Sequence, residues 1–201
     1  MPLHLTTSVS APALRLPTET PWGPSQSEEQ IADGIVFHST SSHGGIHLDA
    51  DRNARVHPAW RADNGWYEED VDWGIAAITF PDLFPPNQVE RAKSALMSYR
   101  PDAYEAATGQ LVPPGASHVR EDAAFLAQNA DRFIVRSAIF SGHEPDMVEC
   151  IATRGGAPGA KERRFLVPNA DYEARGRHFV IDEARHRAYD GPSSFAGYSV
   201  S

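Results

Sequence analysis

Cysteine is almost missing from this chain of 201 residues: Cys150 stands alone. A single thiol forms no intramolecular disulfide, so the fold rests on its core and suits a reducing compartment. Cys150 lies in an apolar, strand-like run from Met147 to Ala152 and reads as a small buried side chain. Long hydrophobic runs are missing too. None approaches the roughly 20 residues of a membrane-spanning helix, so no membrane association is expected. Met1 to Ala13 has neither a basic start nor a continuous apolar stretch, so no secretory signal is expected and the cytoplasm is the anticipated location. Several chemical signatures do not occur: H-E-x-x-H, C-x-x-C, the G-x-S-x-G elbow, the Walker P-loop and the Rossmann fingerprint. No cofactor or resident metal is therefore expected.

Basic residues are scarce where acids cluster. Residues 61–110 hold four basic and nine acidic side chains, whereas residues 151–190 hold eight basic and six acidic ones. The acidic middle disfavours nucleic acid as its ligand, because phosphate binding needs clustered Lys and Arg. The basic stretch (Arg154, Lys161, Arg163, Arg164, Arg175, Arg177, Arg185, Arg187) is either a solvated mixed face or a contact for a phosphate or an acidic partner.

Residues 1–27 are rich in Pro, Ser and Thr and read as an extended arm, with Trp22 expected to dock because a wet indole is costly. Residues 28–190 read as one α+β domain and residues 191–201 as a flexible tail. Ile35–Thr40 and Ile46–Leu48 read as two strands of a hairpin around Gly44-Gly45, and Asp49 or Asp51 as the cap of a short helix. Asp63-Asn64-Gly65 is a turn, and Trp66 to Thr79 follows helical spacing. Further helices are expected over 87–99 and 121–129, with Pro101 breaking the first and Asp102 capping a short turn through Thr108. Strands are expected at Phe133–Phe140, Met147–Thr153, Arg163–Val167 and His178–Ile181, with a helical turn after Asn169. Helices in the middle and strands grouped late predict an α+β fold, an antiparallel sheet with helices packed on one face and the Pro-rich arm outside it.

Four places could carry chemistry. His43, flanked by Gly44-Gly45 and preceded by Ser39-Thr40-Ser41-Ser42, could position a base or an anion, or be a solvent-exposed turn residue. His38 and His47 would face each other if the turn centred on Ser42 and His43, within reach of one metal ion, or be two sheet-face histidines. On a helix, Asp70 would lie between Trp66 and Trp73, and a carboxylate flanked by indoles is partly desolvated, as a general acid or base requires. Glu68 and Asp72 would be paired acids on the next face, able to hold a divalent cation. The alternative is a set of dipole-favoured acids at a helix start with the tryptophans in the core. Gly155-Gly156-Ala157-Pro158-Gly159 resembles a phosphate loop in composition alone and reads better as a hairpin loop. The sharpest catalytic combination is His43 with Glu69 or Asp70. Trp22, Ser42, Gly44, Gly45, Trp66, Tyr67, Glu68, Asp72 and Trp73 are the candidate binding residues around it.

Thr20-Pro21-Trp22-Gly23, Ser42-His43-Gly44-Gly45 and Trp66-Tyr67-Glu68-Glu69-Asp70 resemble an uncharacterised bacterial domain family of plasmids, phages and other mobile elements, sometimes found beside antirestriction-type modules. The resemblance extends through Pro101-Asp102-Ala103-Tyr104-Glu105 and Phe165 to Asp182, most of the chain. It implies a cytoplasmic accessory protein of a mobile element that counters host defence. Together with the acidic middle, which suits a basic surface, it predicts a factor that binds a host or mobile-element protein. The resemblance transfers no catalytic residue, since the family has no established activity. The residues themselves leave a second expectation open, a small hydrolase or transferase using His43 with an acid of the 68–72 segment.

Overall fold

The computed structural model describes residues 18–196, and the chain divides into two compact units, Met1–Val119 and Arg120–Ser201. The first opens on a tight hairpin of β1 (Glu19–Thr20) and β2 (Gly23–Pro24). Thr20 closes it, its hydroxyl donating to the Gly23 carbonyl at 2.8 Å and accepting from the Trp22 N–H at 3.1 Å. Then come β3 (Ser27–Ala32), β4 (Ile35–Ser39), β5 (Gly44–Leu48), α1 (Ala50–Ala54) and β6 (Trp66–Glu68). The four longer strands form one antiparallel meander in the order β3-β4-β5-β6. The helices α2 (Trp73–Thr79), α3 (Pro86–Tyr99) and α4 (Pro101–Thr108) follow, each begun or broken by the prolines. As the sequence suggests, Asp49 caps α1, its carboxylate accepting from the Arg52 N–H at 2.8 Å.

The register sorts the side chains of this sheet. Phe37, Ile46 and Tyr67 stand opposite one another across β4, β5 and β6, and Ile35 stands opposite Leu48. That face packs on Ile75, Ala76, Ala77, Ala92, Leu96 and Tyr104 of the helices, forming the first core. The other face therefore carries Val36, His38, Gly45, His47, Trp66 and Glu68, since successive side chains alternate.

After α5 (His118–Gln128), the second unit is again a meander: β7 (Phe133–Phe140), β8 (Met147–Arg154), β9 (Arg163–Pro168), the short α6 (Asn169–Glu173) and β10 (Arg187–Ala188), in the order β10-β9-β8-β7. Its core gathers Phe133, Val148, Cys150, Ala152, Phe165, Val167 and Ile181. Cys150 is fully buried, as its apolar run predicts. The α+β class holds, with two four-stranded antiparallel sheets. Among the described residues, no helix is long and apolar enough to cross a membrane.

Local readings are corrected at four places. Residues 66–79 are not one helix: Trp66–Glu68 is a strand, a turn follows, and only Trp73–Thr79 coils. Tyr67 decides this, because it is buried with its hydroxyl donating to Asn53 Oδ1 at 2.6 Å while its neighbours face the other side. Residues 18–27 are not a free arm, for the hairpin and the start of β3 lie there and the Gln26 N–H donates to the Ser39 carbonyl at 2.7 Å. Residues 1–17 of the expected arm lie outside the described residues. His178–Ile181 makes a single bridge, Ile134 to Val180, instead of a strand, and the fourth strand is Arg187–Ala188. Residues 191–194 of the expected tail are tied in through hydrogen bonds of Ser193 and Ser194 to Glu149.

Candidate functional site

The three motifs that are far apart in the sequence meet on the outer side of the first sheet. The β4–β5 turn is centred between Ser41 and Ser42, making Ser39 and Gly44 the last pair. Thr40 holds it: the hydroxyl accepts from the His43 N–H at 3.1 Å and donates to the His43 carbonyl at 2.8 Å. This geometry sets Gly45 between His38 on one neighbour and Glu68 on the other. A Cβ on Gly45 would stand 2.5 Å from the Tyr67 carbonyl oxygen and collide with the Trp22 ring. Gly45 is thus the seat on which Trp22 lies, and the docking expected of that indole is met.

Trp22 meets Trp66 edge to face, with ring centroids 5.8 Å apart at 88°. Trp66 also lies against His47 at 4.5 Å and His38 at 5.0 Å. His38 is buried, with Nδ1 3.2 Å from Ser25 Oγ and 3.6 Å from Glu28 Oε1. Burial, reinforced by the neighbouring His38 and opposed by Asp49, holds the His47 imidazole below its ordinary value. The two histidines are not directly opposite, since His38 faces Gly45 and His47 faces Val36. They are diagonal neighbours on one face because the turn sits one step earlier than the paired-ligand reading requires.

At the end of this face the strand pairing brings His43 to the acids. Its Nδ1 lies 3.9 Å from Glu68 Oε1, with the imidazole 54% exposed and the Glu68 side chain 29% exposed. Glu69 joins them: its N–H donates to the Gly44 carbonyl at 3.0 Å, and its carboxylate fills the space that a Cβ on Gly44 would need. His43, Glu68 and Glu69 each offer an atom within 4.8 Å of the others, a spacing that one divalent ion could bridge.

The other candidates disperse. Asp70 is exposed in the turn after β6 and has no helix to place it between two indoles; its N–H donates to Glu68 Oε2 at 2.9 Å. Asp72 accepts two hydrogen bonds from the Arg100 guanidinium, at 3.1 and 3.2 Å, and so does not pair with Glu68. Trp73 starts α2 and packs against the core, and Tyr67 is inside it. Ser42 is exposed at the turn, its N–H 3.3 Å from the Thr40 hydroxyl. Residues 155–159 lie in the loop between the antiparallel strands β8 and β9, as the hairpin reading expects. Sequence reasoning missed Ser25 and Glu28, which hold His38. The stretch Ser-Glu-Glu-Gln at 27–30 alternates too weakly to announce an edge strand, so Ser25 reads as part of the arm and Glu28 as its border with the domain.

No curated protein matches the chain, and no solved structure does. A family model matches residues 15–130, a span that contains Trp22, the His43 turn and the Trp66–Asp70 segment. The chain belongs to the family described as Domain of unknown function (DUF7007).

Proposed function

We propose that the outer face of the first sheet is a recognition surface for a basic segment of a partner protein. In this reading the chain is an accessory protein of a bacterial mobile element, acting in the cytoplasm on a host protein to counter defence. The observation that supports it is the meeting of Trp22 and Trp66, both half-buried, with Glu28 at one side and Glu68 at the other. An indole face with carboxylates at its border suits a guanidinium or ammonium group, which stacks on the ring and pairs with the acid. The net charge of -9 would speed encounter with a basic partner and make binding salt-sensitive. The mobile-element context comes from the resemblance carried by the three motifs.

The test is capture of partners from host extract on the tagged full chain, repeated with Glu68→Gln/Glu69→Gln and with Trp66→Leu. Loss of the same partner in both variants and at raised salt is expected. Equal recovery by wild type and variants at low salt would sink the proposal.

The 3.9 Å approach of His43 to Glu68 favours a second reading, a small hydrolase or transferase in which His43 moves the proton and Glu68 or Glu69 orients it. Turnover of ester or phosphoester substrates that disappears in His43→Gln would support it. Turnover retained by that variant would remove His43 from the chemistry.

A further inference from the structure

The second unit holds a cleft of about 290 Å³ beside β7, lined by Arg136, Ser137, Tyr172, Arg175, Arg177 and His178 among others. Among the described residues no carboxylate lines it, in a chain whose net charge is -9. Its placement follows from the strand pairing. β7 is bordered by the 179–181 segment as far as Val135, whose N–H donates to the Phe179 carbonyl at 2.9 Å. There the register with β8 shifts: Val135 faces Ala152, Ser137 faces Ile151, and Arg136 is the extra residue between them. A bulge of this kind re-aims its side chain. It puts Arg136, which is exposed and has no acidic partner among the described residues, on the cleft.

The other cations are already held in place. Arg175 lies over the Tyr172 ring at 3.9 Å and donates to the Tyr172 carbonyl at 2.9 Å. Asp122 accepts from Arg177 at 3.0 Å and lies 2.8 Å from His178 Nε2, while the His178 ring stacks on Phe125 at 4.4 Å. Asp122 thus fixes Arg177 and His178 in place and uses only part of the Arg177 donor capacity. Three guanidiniums against this one carboxylate leave a positive surplus that matches a dianion. Planar forks, a hydroxyl at Ser137 and a cavity of small-molecule size suit a tetrahedral oxyanion better than an extended polymer.

We propose that this cleft binds a terminal phosphate dianion, with Arg136, Arg175 and Arg177 as the principal contacts and Ser137 as a further donor. The ligand is either free phosphate or the phosphate of a small monoester. This site is separate from the one argued above and does not depend on it.

The experiment titrates the full chain with inorganic phosphate and, in a second arm, with a nucleoside monophosphate, followed by amide NMR shifts and calorimetry. Shifts centred on residues 135–138 and 175–178 are expected. Tighter binding of the monoester would identify an organic phosphate as the ligand, and equal affinity would identify phosphate itself. Arg136→Gln should weaken binding about tenfold with an unchanged melting temperature, since the residue is exposed and unpaired. Arg175→Gln should act in the same direction. Absence of shifts at saturating phosphate, or affinity unchanged in Arg136→Gln, would overturn the assignment. So would binding confined to a short DNA duplex, whose phosphodiesters carry a single charge each.

Discussion

The two four-stranded sheets are both antiparallel meanders, yet they place their polar side chains in opposite ways. The first keeps His47, Trp66 and Glu68 part-exposed on the face opposite the helices, with His38 buried beside them. The second buries charge outright: Glu149 is fully buried, and Arg164 is 5% exposed. Glu149 accepts from Arg164 at 2.8 Å, from the Ser193 hydroxyl at 2.7 Å and from the Ser194 N–H at 2.7 Å, and Arg164 also donates to the Gly191 carbonyl at 2.7 Å. A half-wet polar face costs little and can exchange water for a partner. A buried charge is tolerable only while every partner is in place, so it makes its surroundings all-or-none.

Removing one member of the buried pair should have the largest effect. Arg164→Met is expected to destabilise the second unit by about 3–5 kcal/mol, and Arg164→Met/Glu149→Leu to recover most of it. Urea denaturation followed by circular dichroism measures both. A double variant as unstable as the single one would mean that packing, not charge, dominates there. The pair also sets a pH dependence. Burial pushes the Glu149 carboxyl up, but the Ser194 N–H, the Arg164 guanidinium and the Ser193 hydroxyl outweigh it and hold it below the ordinary glutamate range. Its stabilising contribution is present above the unfolded glutamate value and is lost as pH falls through the lower folded value.

The matching perturbation of the first sheet is Gly45→Ala. The added methyl meets the backbone carbonyl of Tyr67, which cannot yield, and the Trp22 ring, which can. A loss of about 1–3 kcal/mol is expected, with Trp22 expelled. Indole emission should shift to the red, and an unshifted spectrum would show that Trp22 is held by something other than this seat.

A smaller effect separates the sheets by pH. The lowered value of His47 means that the unfolded chain takes up a proton more readily than the folded one. Stability of the first sheet should therefore fall as pH drops below about 6.5, the unperturbed histidine value. Melting temperatures across that range measure it. His47→Phe should flatten the curve, and an unaltered slope would assign the dependence elsewhere.

The slightest readout is chemical. Burial pushes the Cys150 thiol up to about 12, so labelling at neutral pH should be slow and limited by opening of the second sheet. Arg164→Met should speed it, because the arginine stabilises the same sheet. Equal labelling rates in wild type and variant would uncouple Cys150 from the buried pair.

Much of the local structure was legible. Phe133–Phe140 is found as a strand over the expected residues, and Met147–Arg154 within one residue, because long β-prone runs bounded by turns leave little ambiguity. The helix Pro86–Tyr99 and the Asp49 cap were legible for similar reasons. The stretch 66–79 misled for a specific reason. Tyr67, Val71, Ile75 and Ile78 do share one core, as helical spacing suggests, but Tyr67 reaches it from a strand and the last two from a helix. For the candidate site, the nearness of His43 to the 68–69 acids was anticipated in kind, while the choice of Glu68 over Asp70 was not.

The sequence by itself determined the α+β class, most of the local elements and the burial of its one thiol, because each follows from composition or from periodicity over a few residues. Tertiary structure alone decided that Trp22 lies on Gly45, that Glu68 and Glu69 flank His43, and that Arg136 turns onto a cleft. Those meetings depend on strand register, which is set by burying the opposite face of the sheet and by single-residue shifts at turns and bulges. A one-step shift in the pairing would exchange the faces, and no local stretch of chain encodes that choice.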